Sequence, residues 1–293
     1  MFSKKITLKR LGTISLFVLP AAILFGVFRV FPLFKNIQLS FQVGAGYGLR
    51  NYQRVFSDPL LWSSTVRTLV FALSSTAIEM IIGFAFALIL NQKFFGRRAL
   101  RTIFLIPWVI PVSVMAVGWK FLLQHSYGPI PWIINWLGIT ETVPYFLVTP
   151  KMAFTSLIIA DVWQTTPFCA LLLLAGLQNI PSQLYEAASI DGAGGLQKFW
   201  RITLPLVVPS AIVALMFRFL RAFAIFSLPW VLTQGGPGGA TTTLSIGIFR
   251  KAMRYLQLRE GAAMAVVMVL YVIAILLAIA LTRRKLGSYG GQA

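Results

Sequence analysis

The chain has 293 residues, of which 58% are hydrophobic and only 11% charged, with a mean hydropathy of +0.80. A soluble domain carries about 25% charged residues, so this composition excludes an ordinary soluble enzyme and leaves a polytopic membrane protein. The net charge of +19 would suggest nucleic acid in a soluble chain. Here its distribution follows the connections between apolar stretches, and no nucleic-acid partner is implied. One cysteine and one histidine provide neither a disulfide framework nor a transition-metal ligand set.

A bilayer core of about 30 Å needs about 20 apolar helical residues per crossing. Six stretches meet that length, at about 12–34, 66–91, 102–123, 152–178, 204–232 and 260–281. The short alternating segments of a β-barrel are missing from the sequence, so the predicted fold is all-α, one transmembrane domain over 1–293. The first stretch follows Lys4, Lys5, Lys9 and Arg10, as a signal peptide would. Its apolar run is too long, and Phe31-Pro32-Leu33-Phe34 replaces a small-residue cleavage site. It reads as an uncleaved helix.

With the N-terminus taken as cytoplasmic, the inner connections hold thirteen Lys and Arg and the outer ones seven, in greater loop length. The positive-inside rule then places both ends in the cytoplasm. On the outer side, residues 35–64 carry Gly44, Gly46 and Gly48 and read as an irregular loop. Pro131 to Trp136 reads as a short interfacial helix with two indoles. Basic residues around Arg250 suit an amphipathic helix whose charges snorkel to water. The run Gln-Gly-Gly-Pro-Gly-Gly at 234–239 forms a turn that no helix continues through.

Between the fourth and fifth spans lie residues 179–203. Ser182 is a candidate N-cap, Leu184, Ala187, Ala188 and Ile190 give a short amphipathic helix, and Asp191-Gly192-Ala193-Gly194-Gly195 breaks it. Phe199, Trp200 and Ile202 restart an apolar pattern. A helix–turn–helix elbow at the membrane surface results, in which two alanines leave room for another protein. A plain surface connector fits the same pattern.

The run EAASIDGAGGLQKFWRITLP, Glu186 to Pro205, resembles the EAA signature of permease subunits of binding-protein-dependent ABC importers. Glu186, Ala187, Ala188, Gly192, Ile202, Leu204 and Pro205 fill every defined position. Tyr185, Asp191-Gly192-Ala193, Leu177 to Pro181, and Leu232 to Pro237 are similar to the carbohydrate-uptake branch, related to maltose and glycerol-phosphate permeases. The resemblance runs from about residue 12 to 285. It implies a type I importer permease in a bacterial plasma (inner) membrane, paired with a second permease subunit, two ATP-binding subunits and an external solute-binding protein. The elbow would be the coupling helix, with Tyr185, Glu186, Ala187, Ala188, Asp191, Gly192 and Ala193 at the ATPase groove. Such a permease binds no cofactor of its own; ATP and Mg belong to the partner subunits. In agreement, the dipeptide Gly-Lys of a phosphate-binding loop occurs nowhere in the chain.

Ionisable residues at membrane depth face a protein interior or a water-filled path. Glu79, Asp161, Arg218 and Arg221 lie near mid-span. Asp161, Gln164, Thr165 and Phe168 share one helical face, as do Ser75, Thr76, Glu79 and Gly83. One reading puts Glu79, Asp161, Gln164 and Arg218 on a solute path, with Trp119, Trp163 and Trp230 offering flat faces to sugar rings. The other pairs Glu79 and Asp161 with Arg218 and Arg221 to hold helices together. Trp163 and Gln164 cannot both face one path squarely. Pro107, Pro111 and Pro167 are candidate kinks.

Three functions compete. An importer permease for a sugar or polyol derivative accounts for the elbow. A secondary transporter or channel would favour an internal repeat, and none relates the two halves. A membrane enzyme would need a catalytic cluster, whereas the lone His125 sits in an outer loop between Gln124 and Ser126. Disaccharides, glycosides of glycerol and glycerol phosphates all remain open as solutes.

Overall fold

A computed structural model describes residues 18–289, with side chains for residues 18–279. Lys4, Lys5, Lys9, Arg10 and the first six residues of the expected first span lie outside the described residues, as do the side chains of Arg283, Arg284 and Lys285. Five helices are long and apolar enough to cross a membrane: α1 (Val18–Phe41), α3 (Pro59–Asn91), α7 (Pro150–Gln178), α9 (Gly195–Phe223) and α12 (Leu258–Ile279). The helices α4 (Arg97–Val109) and α5 (Val112–Leu122) meet at 90° and, counted together as one broken span, bring the number to six. By contacts the described residues form two compact units. One holds those up to Pro59 with Ile248–Leu270, the other Leu60–Gly247 with those from Tyr271 onward.

In the first unit, α1 runs seven residues past the expected end at residue 34. A wide π-turn at Gly26–Val30 precedes Pro32, whose missing N–H would otherwise leave a gap in the ladder. The expected irregular loop is ordered as β1 (Gln42–Val43) and β2 (Gly46–Tyr47), paired antiparallel with Gln42 opposite Tyr47, followed by α2 (Arg50–Ser57). Asn51 clamps this corner by donating to the carbonyls of Ser40 and Gln42, both at 2.9 Å. Lys251 lies in a π-turn, Arg250–Arg254. It does not simply snorkel: it bonds Asp58 at 2.6 Å and Glu260 at 3.1 Å, and Glu260 also takes Arg54 at 3.1 Å. These bonds hold the Lys251 ammonium above its ordinary value, against the burial that opposes it.

In the second unit α7 is the central rod, packed by α9 and α4 and by the short α10 (Ser227–Thr233). Its other elements are α6 (Pro129–Trp136), α8 (Ser182–Ile190) and α11 (Leu244–Phe249), the last running on past the unit's edge. Small residues set the approach of the long helices, as expected where lipid gives no hydrophobic drive between them. A Cβ on Gly83 would stand 3.0 Å from the Cys169 Cβ and 3.2 Å from the Ala170 nitrogen. Ala87, Leu90, Leu173, Leu174, Leu177 and Val207 then close an apolar core.

Two expected spans are altered by their own residues. In the third, Pro107 sits inside α4 without ending it, whereas Pro111 caps α5 at the 90° corner. Ile110, the residue before proline, is forced extended, with ψ 129°. The fifth does not run to residue 232. It stops at Phe223, Phe226 leaves the helical region, and α10 begins anew. Beyond α10, the glycine-rich turn is packed rather than loose. Thr241, Thr242 and Thr243 are fully buried and donate to the carbonyls of Gly236, Gly235 and Ile225.

Candidate functional site

Two sites emerge in the second unit. At membrane depth, α3 carries Glu79, α7 carries Asp161, and α9 carries Arg218, and these three side chains converge. Arg218 Nε pairs with Glu79 Oε2, while Nη2 pairs with Glu79 Oε1 at 2.7 Å and with Asp161 Oδ2. All three are buried, Glu79 completely. Thr165 adds a hydrogen bond to Glu79 Oε1 at 2.7 Å. An ion kept in a low-dielectric interior needs such partners, because removing it from water costs several kcal/mol (order of magnitude). The geometry therefore joins three helices through one guanidinium.

Arg221, one turn beyond Arg218, does not join them. The reading in which both arginines neutralise the acids is corrected on this point: among the described residues Arg221 has no carboxylate within ion-pair distance. It is exposed at the last turn of α9. There it lines a cavity of about 280 Å³ together with Val112, Asp161, Gln164, Thr165, Arg218 and the 224–227 corner. Gln164 is buried and committed, donating to the Ile110 carbonyl at 2.9 Å. That carbonyl is orphaned by the Pro111 corner, so Gln164 repairs the broken span.

The tryptophans separate. Trp163 is 43% exposed and meets Trp119 edge-on at 5.9 Å, away from the buried Gln164 face, as expected of neighbours about 100° apart on one helix. Trp230 stacks on Phe226 at 5.8 Å, so Phe226, not the indole, reaches the cavity. Sequence reasoning missed Phe226 and Ser227 by running the fifth span through Pro229, which has no N–H for the Ile225 carbonyl; Thr243 takes that carbonyl instead.

The second site is the elbow. Helix α8 begins with Pro181 at the N-cap and Ser182 as its first residue, one position earlier than expected. Pro181 supplies the fixed φ and extended ψ of the capping position, and Ser182 makes no capping bond. The helix ends in a Schellman motif. The Ala193 N–H reaches the Ala188 carbonyl at 2.8 Å and the Gly192 N–H reaches Ser189 at 3.2 Å, with Gly192 at φ +78°. Only glycine adopts that angle freely. Tyr185 hydrogen-bonds Thr203 at 2.9 Å and Lys198 donates to Ser189 at 2.7 Å, tying the elbow to the foot of α9. Glu186, Ala187 and Asp191 are exposed, and none of α8 is buried. Ile190 is 88% and Leu196 74% exposed.

Multiple apolar spans, an ion-clamped polar cavity between helices and a solvent-exposed elbow are the features of a transport subunit of the membrane. The chain belongs to the family of binding-protein-dependent transport system inner membrane components, which matches residues 79–285. It is 45% identical to the trehalose/maltose transport system permease protein MalF of Thermococcus litoralis, over 80% of this chain and 81% of that one. It is 38% identical to the sulfoquinovosyl glycerol transport system permease protein SmoG of Agrobacterium fabrum, over 86% and 84%. In structure it is similar to a chain of a bacterial alginate ABC transporter, solved in complex with an alginate pentasaccharide-bound periplasmic protein. That likeness has TM-score 0.83 at 25% identity, over 95% of this chain and 96% of that one. The type I importer permease fold is thereby established, and with it a multi-pass membrane location.

Proposed function

We propose that this chain is one of two permease subunits of an importer for a sugar or sugar-like solute, delivered by an external binding protein. Its elbow takes up the work of ATP hydrolysis carried out, with Mg, in two partner subunits. The observation that carries the reading is the elbow itself. A capped, EAA-bearing helix whose apolar Leu184 and Ile190, with Leu196 at the foot of α9, lie open to solvent is built to be covered. Tyr185, Glu186, Ala187, Ala188, Asp191, Gly192 and Ala193 form its contact surface and stop, with both chain ends on the same, cytoplasmic, side. The named relatives supply the solute class: trehalose/maltose for one and a glycosyl glycerol for another.

The cavity beside Arg218 is the segment of the path contributed by this subunit. Asp161, Gln164 and Arg218 form its wall, Glu79 holds that wall from behind, and Trp230 backs Phe226. Trp119 and Trp163 form a separate aromatic pair available to the solute or to the second permease. The test is reconstitution of the full complex with its binding protein in proteoliposomes. Solute-stimulated ATP hydrolysis and uptake should both depend on this chain, and a photo-crosslinker at Ala188 should capture an ATP-binding subunit. Stimulation without this chain, or capture of lipid alone, would overturn the reading.

A further inference from the structure

The cavity's polar groups are not equally free. Arg218, Asp161, Gln164 and Thr165 all have partners within the protein. Arg221 and Ser227 are exposed and make no hydrogen bond to another described side chain or backbone group. A guanidinium does not give up its proton, so Arg221 offers a permanent fork of N–H donors to whatever enters. In formal charge the two carboxylates exceed the guanidinium of Arg218 by one, and Arg221, which lines the same cavity, brings the sum to zero. Charge interactions are strong in a low-dielectric setting, so an arriving anion would upset a balanced site. A neutral hydroxylated molecule would not: its oxygens accept from Arg221 and Ser227, and its CH face lies on Phe226.

We infer that Arg221 is a solute-contacting donor of the path, that Arg218 is a positioning residue, and that the solute segment passing this cavity is an uncharged polyol ring. This rests on the proposed function, since it takes the cavity as part of the path. The volume of about 280 Å³ sits at the lower end of ligand pockets, about 300 Å³, which suits one ring at a time. Among the solutes named for relatives the inference sides with the neutral disaccharides over the sulfonated or acidic ones.

The experiment uses the complete complex with its binding protein in proteoliposomes. First, the binding protein is titrated with trehalose, a uronic-acid disaccharide and a glycerol phosphate. Preference for the neutral sugar is expected; equal or tighter binding of an acid overturns the charge assignment. Next, uptake of the preferred probe is measured for Arg221→Gln and Arg221→Lys, with Ser227→Trp to fill the cavity. At saturating binding protein, R221Q should raise the apparent KM for solute at least tenfold, and R221K, which keeps the charge and loses the fork, should raise it severalfold. Should R221Q not assemble, R221K carries the test alone. Loss of uptake in S227W with an unchanged KM in the Arg221 variants overturns the donor role and leaves the path reading standing. Normal uptake in S227W overturns the path reading itself.

Discussion

Gly192 allows the mechanical role of the elbow to be tested by a change of one backbone angle. Its φ is +78°, and a Cβ there would meet no atom of this chain within 4 Å, so within the chain a substitution acts through backbone strain. For an ordinary L-residue the left-handed region costs about 1–2 kcal/mol, a factor of about 5–30 in the ratio of capped to uncapped elbow. Asn tolerates the region better than Ala, and a β-branched residue tolerates it worst. The series Gly192→Asn, Gly192→Ala and Gly192→Val should therefore lower solute-stimulated ATP hydrolysis in that order, with Ala near the five- to thirty-fold range. The amount of each variant in the membrane should stay the same, because the strained turn lies outside every span. Full coupling in G192V, or equal losses in all three, would refute the argument that the Schellman stop is what presents Glu186 and the alanines.

Other outcomes follow from the same geometry. Arg218→Leu leaves two buried carboxylates facing each other and should cost about 3–5 kcal/mol, read as lost thermal stability in detergent. The triple change with Glu79→Leu and Asp161→Leu should recover much of it. Gly83→Val forces α3 away from Cys169 and should cost about 1–3 kcal/mol as overpacking, visible in the same melt. Lys251 is raised above its ordinary 10.5 by Asp58 and Glu260, against its own burial. Its contribution to the first unit is therefore complete below pH about 10.5 and lost as pH rises through the still higher folded value. Lys251→Met should accordingly flatten the alkaline arm of a stability–pH profile.

Much of this was legible from residue order. The six apolar stretches needed only length and charge, and the EAA spacing located the elbow because a glycine stop six residues after Glu186 has a fixed geometric meaning. Helical periodicity also put Glu79, Asp161 and Gln164 on inward faces. Which acid meets which arginine was not readable, since Arg218 and Arg221 are one turn apart and only the packing of α9 on α7 tells them apart. The corner at Ile110 was undervalued because proline inside an apolar run is tolerated at Pro107 and disruptive at Pro111. The difference lies in tertiary support, with the Gln164 amide 54 positions away receiving the freed carbonyl. The break after Phe223 has one local signal, Pro229, whose missing N–H and ring disfavour a helix running through Ile225.

The wide π-turn at Phe199–Thr203 lies in the foot of α9, next to the elbow and below the stretch that carries Pro209 and Arg218. From Thr203 to Arg218 the rise is about 22 Å. A pivot of about 10° at that collar would sweep the guanidinium sideways by about 4 Å on a rod of that length, enough to pull it clear of both acids. On the proposed reading, a small push at the inner surface would become a lock opening deep in the bilayer, carried along a rod that also holds Pro209.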